Sequence, residues 1–239
     1  GDLPANHICW RIIQDHVNPD LLFLGTEYGA YFTVDAGEHW SKLPGAPVIP
    51  FRDLEIQRVE NDLVGATFGR GFYVLDDYTP LRSLDPELIA AKKFQLFDTR
   101  PAKLYVRNGE VGGGTGFQGD NTFIADNPPF GAVFTYYMPE TLKTAKAKRA
   151  ERESKLAAAG EDNPAPDWEA MHEENYEEAP QIILTIRNSL GEVVNRVTGP
   201  ASKGLHRVSW GLRYGTDMGR GPYAVPGKYT VEVVQRAND

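Results

Sequence analysis

Few of the reactive side chains in this sequence stand at spacings that could do chemistry. His7, His16, His39, His172 and His206 could each lend a ring nitrogen to a metal, but a structural zinc site draws its ligands in close pairs, and these five are scattered. No metal ligand set is expected. Cys9 is the single cysteine, which rules out an internal disulfide and a thiolate cage, and its place in an apolar segment marks a packed thiol rather than a nucleophile. Residues 114–119 read Gly-Thr-Gly-Phe-Gln-Gly, the glycine spacing of a dinucleotide loop, yet no strand of a βαβ unit precedes them and prolines follow. No nucleotide cofactor is expected. Asp120-Asn121 and Asp126-Asn127 offer oxygen donors for Ca²⁺ without a complete ligand loop, and no serine sits in a nucleophile elbow. Trp10, Trp40, Trp168 and Trp210 could stack on sugar rings, although all but Trp168 lie in or beside expected strands, where such rings ordinarily pack a core.

The elements that would carry these side chains follow from composition and repeats. With 239 residues, 41% of them hydrophobic and 24% charged, the chain can bury a core of one large or two modest domains. A formal charge of -8 is the wrong sign for a surface that tracks phosphate, so nucleic acid is not an expected partner. No apolar run approaches the ~20 residues of a membrane-spanning helix. The 24 glycines and 17 prolines point to short strands and many turns. The sequence opens at Gly1 without an initiator Met or an apolar leader and reads as a piece of a longer protein.

A degenerate repeat occupies residues 1–82. Leu-Gly-Thr-Glu-Tyr-Gly at 24–29 returns as Ala-Thr-Phe-Gly-Arg-Gly at 66–71, which sets Thr26 and Thr67 41 residues apart, within the ~40–45 residue period of four-stranded propeller blades. An apolar segment precedes each copy, at 8–13 and 54–59, giving a β-meander. Residues 83–129 read as a joint: a short helix over 83–93, with Asp85 as N-cap and Pro86 in the first turn, then a Gly- and Asn-rich loop. Residues 130–239 read as a small β-sandwich. Its expected strands lie at 130–138, 181–187, 192–197, 208–214 and 229–233. An insert at 140–179 is basic in its first half and acidic in its second, which suggests a solvated excursion that serves solubility, or a helix folding back on an acidic partner or docking another protein.

The segment Thr33-Val34-Asp35-Ala36-Gly37-Glu38-His39-Trp40 resembles the Asp-box, S/T-x-D-x-G-x-x-W, of BNR-type propellers in sialidases and sortilin-like receptors. Asp35 should accept amide hydrogens within the turn, Gly37 should take positive φ, and Trp40 should bury its ring beside the next strand. These are structural roles. Residues 127–137, 206–213 and 225–231 resemble the FlgD-type immunoglobulin-like domain that follows such propellers. The resemblance implies a mainly β chain, with about two blades of an incomplete β-propeller followed by an Ig-like sandwich with a helical insert.

A sialidase of that family needs arginines for the substrate carboxylate, a tyrosine nucleophile with an acidic partner, and a carboxylic acid as proton donor. Glu27, Tyr28, Arg52, Asp53 and Arg70 are of those types, near strand ends where a channel mouth would be. The simpler alternative is that Arg52 pairs with Asp53 and that Arg70 bonds carbonyls of its own turn. Two blades do not assemble a site built from several, so the expectation is a non-catalytic part of a propeller protein offering a protein- or glycan-binding surface. A glycoside hydrolase with its other catalytic residues upstream, and a sortilin-like peptide-binding module, are the alternatives. The resemblance implies an extracellular or envelope location, with a cytoplasmic one as the alternative. The open blade faces lead to an expectation of self-association, as a two-fold homodimer.

Overall fold

A computed structural model describes residues 2–5, 7–84, 87, 91–105, 128–163, 165–215 and 221–236. The chain is mainly β, built of small antiparallel sheets, none of them closed among the described residues. It divides into two compact units, Gly1–Phe97 and Asp98–Asp239. Of the expected helix over 83–93, residues 85, 86 and 88–90 lie outside those described, as do the dinucleotide-like loop and both Asp-Asn pairs.

The first unit holds two meanders. One is β1 (Cys9–Gln14), β2 (Leu22–Thr26), β3 (Gly29–Thr33) and β4 (Ser41–Lys42), in that spatial order. The other is β5 (Phe51–Gln57), β6 (Asp62–Thr67) and β7 (Phe72–Leu75). A single turn of 3-10 helix, Thr79–Ser83, and a two-residue strand β8 (Gln95–Leu96) follow. The repeat has a shared hydrogen bond. Thr26 Oγ1 donates to the Gly29 carbonyl at 3.0 Å, and Thr67 Oγ1 donates to the Gly71 carbonyl at 2.8 Å, so each threonine closes the turn that follows it, which is one residue longer in the second copy.

Apolar alternation then fixes the core. Phe51, Leu54 and Ile56 of β5 are buried against Phe23 and Leu24 of β2 and Leu63 of β6, while the intervening residues of β5 face outward. The approach of β2 to β5 is close: a Cβ on Gly25 would lie 2.5 Å from the Phe51 carbonyl oxygen. Side chains larger than hydrogen do not fit there.

The second unit contains β9 (Ala132–Met138), β10 (Gln181–Arg187), β11 (Val193–Gly199), β12 (Gly204–Trp210) and β13 (Thr230–Arg236). Strands β11, β10 and β13 form one antiparallel sheet, and β12 pairs with β9. Phe134, Tyr136 and Met138 alternate inward on β9, Ile182, Leu184 and Ile186 do so on β10, and all six are buried. Tyr136 Oη donates to the Pro200 carbonyl at 2.7 Å, and burial pushes this phenol up to about 12. The strand expected over 208–214 stops at Trp210. Leu212 takes φ of +55°, a left-handed conformation that ends the extended run, and Arg213 makes only an isolated bridge to Tyr223.

The insert forms two helices, α1 (Ala145–Ala159) and α2 (Trp168–Tyr176). Thr144 and Asp167 cap them, each accepting an amide hydrogen three residues on. The expected fold-back of the basic half on the acidic half is present: Arg149 holds Glu174 through Nε and Nη2 and reaches Glu153 through Nη1. Neither helix is long and apolar enough to cross a membrane.

Candidate functional site

Antiparallel register brings the sequence-predicted residues to one end of the first unit. Cys9, at the start of β1, pairs with Thr26 at the end of β2, and Phe51, at the start of β5, pairs with Thr67 at the end of β6. The β2–β3 turn carrying Glu27 and Tyr28, the β5 start carrying Arg52 and Asp53, and the β6–β7 turn carrying Arg70 therefore share a rim. Trp10 and Phe68 join them there.

The rim is organised around Trp10. Its indole N–H donates to Glu27 Oε2 at 3.0 Å, fixing that carboxylate, and the Arg52 guanidinium lies 3.6 Å over its ring. Phe68 flanks the same guanidinium at 5.4 Å. Arg52 is thus held by aromatic faces while its N–H edges face solvent. Asp53 pairs with Arg11 Nε at 3.3 Å. The expected local Arg52–Asp53 pair is therefore replaced by an arginine from the neighbouring strand and a tryptophan. Tyr28 is 48% exposed and lies 4.9 Å from the His7 ring, whose Nδ1 is buried without a hydrogen-bond partner among the described residues. Arg70 is exposed in its turn, and no hydrogen bond or ion pair ties it to Glu27, Tyr28, Arg52 or Asp53 among the described residues. Two further expectations are corrected here. Cys9 is exposed rather than packed, and Trp10 is 38% exposed because it serves this rim instead of a core.

The segment 33–40, which resembles an Asp-box, lies at the other end of the same strands, after β3. Thr33 Oγ1 donates to Asp35 Oδ1 at 2.6 Å and accepts from Gly37 N–H at 3.0 Å; Asp35 Oδ1 accepts from His39 N–H at 2.9 Å. Gly37 has φ of +98°, and Trp40 packs half-buried over it. Desolvation works to raise the Asp35 carboxyl, but the His39 amide, the Thr33 hydroxyl and the His39 ring outweigh it and bring Asp35 down to about 2. In return, the hydrogen bond and charge of Asp35 raise the His39 imidazole above its ordinary value. Asp35, Glu38 and His39 bring potential ligand atoms within 4.8 Å of one another, a proximity that scanning histidine spacing alone does not reveal. The Asp35 and His39 groups already satisfy each other at 2.7 Å.

Sequence reasoning missed a third constellation. Asp15, directly after β1, accepts two N–H bonds from Arg82 at 2.8 Å each and the Tyr78 hydroxyl at 2.6 Å. Asn18 N–H and Val17 N–H add bonds at 2.8 and 3.2 Å. Arg82 also reaches Asn61 Oδ1 at 2.7 Å. Burial tends to raise the Asp15 carboxyl, and the Arg82, Tyr78 and Asn18 bonds hold it well below the usual carboxylate range. Burial and the adjacent Asp15 charge push the Tyr78 phenol far up. A tyrosine, a carboxylate and an arginine are the types a retaining sialidase uses, but Tyr78 is 0% exposed and no substrate reaches it. The group is a clasp between the two meanders. The signal that could have found it is the polar Asp15 directly after an apolar strand.

Nothing matches this chain among known protein families, curated proteins or solved structures. The assignment of function therefore stands on the geometry alone. In the second unit, a recess of about 710 Å³ is lined by Phe134, Trp210, Leu212 and Tyr229, with Arg100 and Lys228 as its charged groups. Among the described residues its lining includes no carboxylate and no imidazole.

Proposed function

We propose that the first unit is two consecutive blades of a BNR-type propeller, followed by an Ig-like sandwich with its helical insert. The chain then serves as a non-catalytic, binding part of a secreted or envelope protein. Its ligand, a protein segment or a glycan, meets the rim formed by Trp10, Glu27, Tyr28, Arg52 and Phe68.

The observation that carries this reading is the rim itself. Two turns closed by equivalent threonines deliver exposed aromatic rings and a stacked guanidinium to one end, while the opposite end satisfies its own polar groups. Exposed aromatic and arginine side chains grouped on rigid strands are typical of recognition surfaces. Against the catalytic alternative, no tyrosine paired with a carboxylate stands open at the rim among the described residues. Tyr78 is sealed, Tyr28 stands beside a histidine rather than a carboxylate, and Glu27 is bonded to an indole.

The test is binding of the full chain to a glycan array and to a peptide library, with Trp10→Ala and Arg52→Ala in parallel. Capture on either array that both variants lose by tenfold or more supports the reading, since each of these anchors is expected to contribute at least ~1.4 kcal/mol. Turnover of a sialoside or another glycoside that Arg70→Ala abolishes would overturn it.

A further inference from the structure

The recess of the second unit carries an inference that does not rest on the rim. Residues of both sheets line it: Phe134 and Trp210 come from β9 and β12, Ile186 and Val231 from β10 and β13. Register places it at one end of the strands, where Ala132 lies opposite Trp210 and Ile186 opposite Val231. Toward the other end of β9 and β10, large side chains fill the interior, and Tyr136, Met138, Ile182 and Leu184 are fully buried. At the recess the walls carry small residues, Ala102, Ala132 and Ala224, and Leu212, with its φ of +55°, turns the chain aside just after Trp210. Too little side-chain volume remains to close the interior, and about 710 Å³ stays open. Packed cores hold few voids larger than a water, whereas small-molecule sites are apolar concavities of ~300–1,000 Å³ with a few polar groups.

The walls select the ligand. The Trp210 indole N–H donates to the Arg213 carbonyl at 2.7 Å and the Tyr229 hydroxyl donates to the Val225 carbonyl. Both rings, packed edge to face at 5.2 Å, therefore offer the interior only carbon, which suits an apolar body. Charge enters the described lining through Arg100 and Lys228, both exposed and both cationic. Lys228 makes no ion pair or hydrogen bond with any described residue. We infer that the recess binds a fatty acid, with the alkyl chain between the two sheets and the carboxylate at the Lys228 ammonium. At the ~30 Å³ that one water occupies in the liquid, the space holds roughly two dozen non-hydrogen atoms. A long alkyl chain fills that volume, and a single aromatic acid leaves most of it empty. The exposed cation sets the direction of entry, because the head group keeps its water at the mouth while the chain leaves water behind.

The experiment is calorimetric titration of the full chain with dodecanoate, octanoate and dodecylammonium, each below its micelle concentration. Dodecanoate is expected to bind at least ~tenfold more tightly than octanoate, because each further CH₂ buried tightens binding, and more tightly than dodecylammonium. Lys228→Glu should weaken dodecanoate ~tenfold and reverse the preference toward dodecylammonium. Ala102→Trp places a ring in the recess from an exposed position, so it should weaken dodecanoate ~tenfold with the fold intact by circular dichroism. No binding of dodecanoate, octanoate bound as tightly as dodecanoate, or a dodecanoate affinity unchanged in both variants would each overturn the proposal.

Discussion

Truncation of Arg82 to alanine tests the clasp that joins the two meanders. The Asp15 side chain has no solvent exposure and that of Arg82 has 17%, so the pair lies in a medium where an unmatched charge is costly. Arg82→Ala leaves the carboxylate with the Tyr78 hydroxyl, two backbone amides and the His16 ring at 3.5 Å but without its guanidinium, and strips Asn61 Oδ1 of its partner. Breaking one half of a buried pair costs ~3–5 kcal/mol. At ~4–8 °C per kcal/mol for a unit of this size, the melting transition should fall by at least about 12 °C. Arg82→Lys keeps the charge and loses the two-pronged contact, so it should fall between.

The same pair sets a pH dependence. Because Asp15 is held below its unfolded value of ~3.9, its contribution is complete above that value and is lost as pH falls below it. The gap between wild type and Arg82→Ala should accordingly narrow from pH 7 to pH 3. Urea unfolding followed by tryptophan fluorescence measures both effects. A variant within ~1 kcal/mol of wild type at pH 7, or a gap that does not change with pH, would refute the clasp.

Two further outcomes follow from the described contacts. The Asp35–His39 pair raises the imidazole, so the stability it adds is complete below the unfolded histidine value of ~6.5 and is lost as pH rises through the folded one; Asp35→Asn should lower the His39 titration, followed by NMR, toward the ordinary value, with Asp2 and Glu38 left to hold it up. Gly25→Ala should cost ~1–3 kcal/mol in urea unfolding, because its Cβ would meet the Phe51 carbonyl at 2.5 Å, whereas Gly211→Ala, which meets nothing within 4 Å, should stay within ~0.5 kcal/mol.

Local patterns were legible in the sequence where one periodicity or one turn decides the outcome. The 41-residue spacing of Thr26 and Thr67 survives as two turns each closed by its threonine, and Thr33, Asp35 and Gly37 take the hydrogen bonds and backbone angle their types imply. The charge reversal within 140–179 appears as Arg149 holding Glu174. What failed to show was pairing between distant strands. Asp53 has Arg52 next to it in sequence, but the β5–β6 register slips between Phe51 and Asp53, and Asp53 meets Arg11 across the meanders while Arg52 stacks on Trp10. Trp10 and Cys9 read as core because apolar segments usually are, whereas β1 is an edge strand with its side chains largely exposed. The Asp15 clasp spans 67 residues to Arg82, beyond the reach of any spacing rule.

The two ends of the first unit differ in how their polar groups are satisfied, and this difference favours the rim as the proposed binding surface. At the Asp-box end, Thr33, Asp35 and His39 bond one another, and Ala36 N–H reaches the Asp20 carbonyl at 3.0 Å. A ligand arriving there would have to displace bonds already made. At the rim, the Arg52 guanidinium is oriented by Trp10 and Phe68 without spending its N–H groups, and Glu27 uses one oxygen on an indole and keeps the other. Donors and acceptors that are positioned but unspent are what recognition requires, because binding then orders little and breaks little. Trp10→Phe separates positioning from contact. It keeps a ring beneath the guanidinium and deletes the indole donor, so a ligand held through Arg52 should retain most of its affinity and one held through Glu27 should lose it.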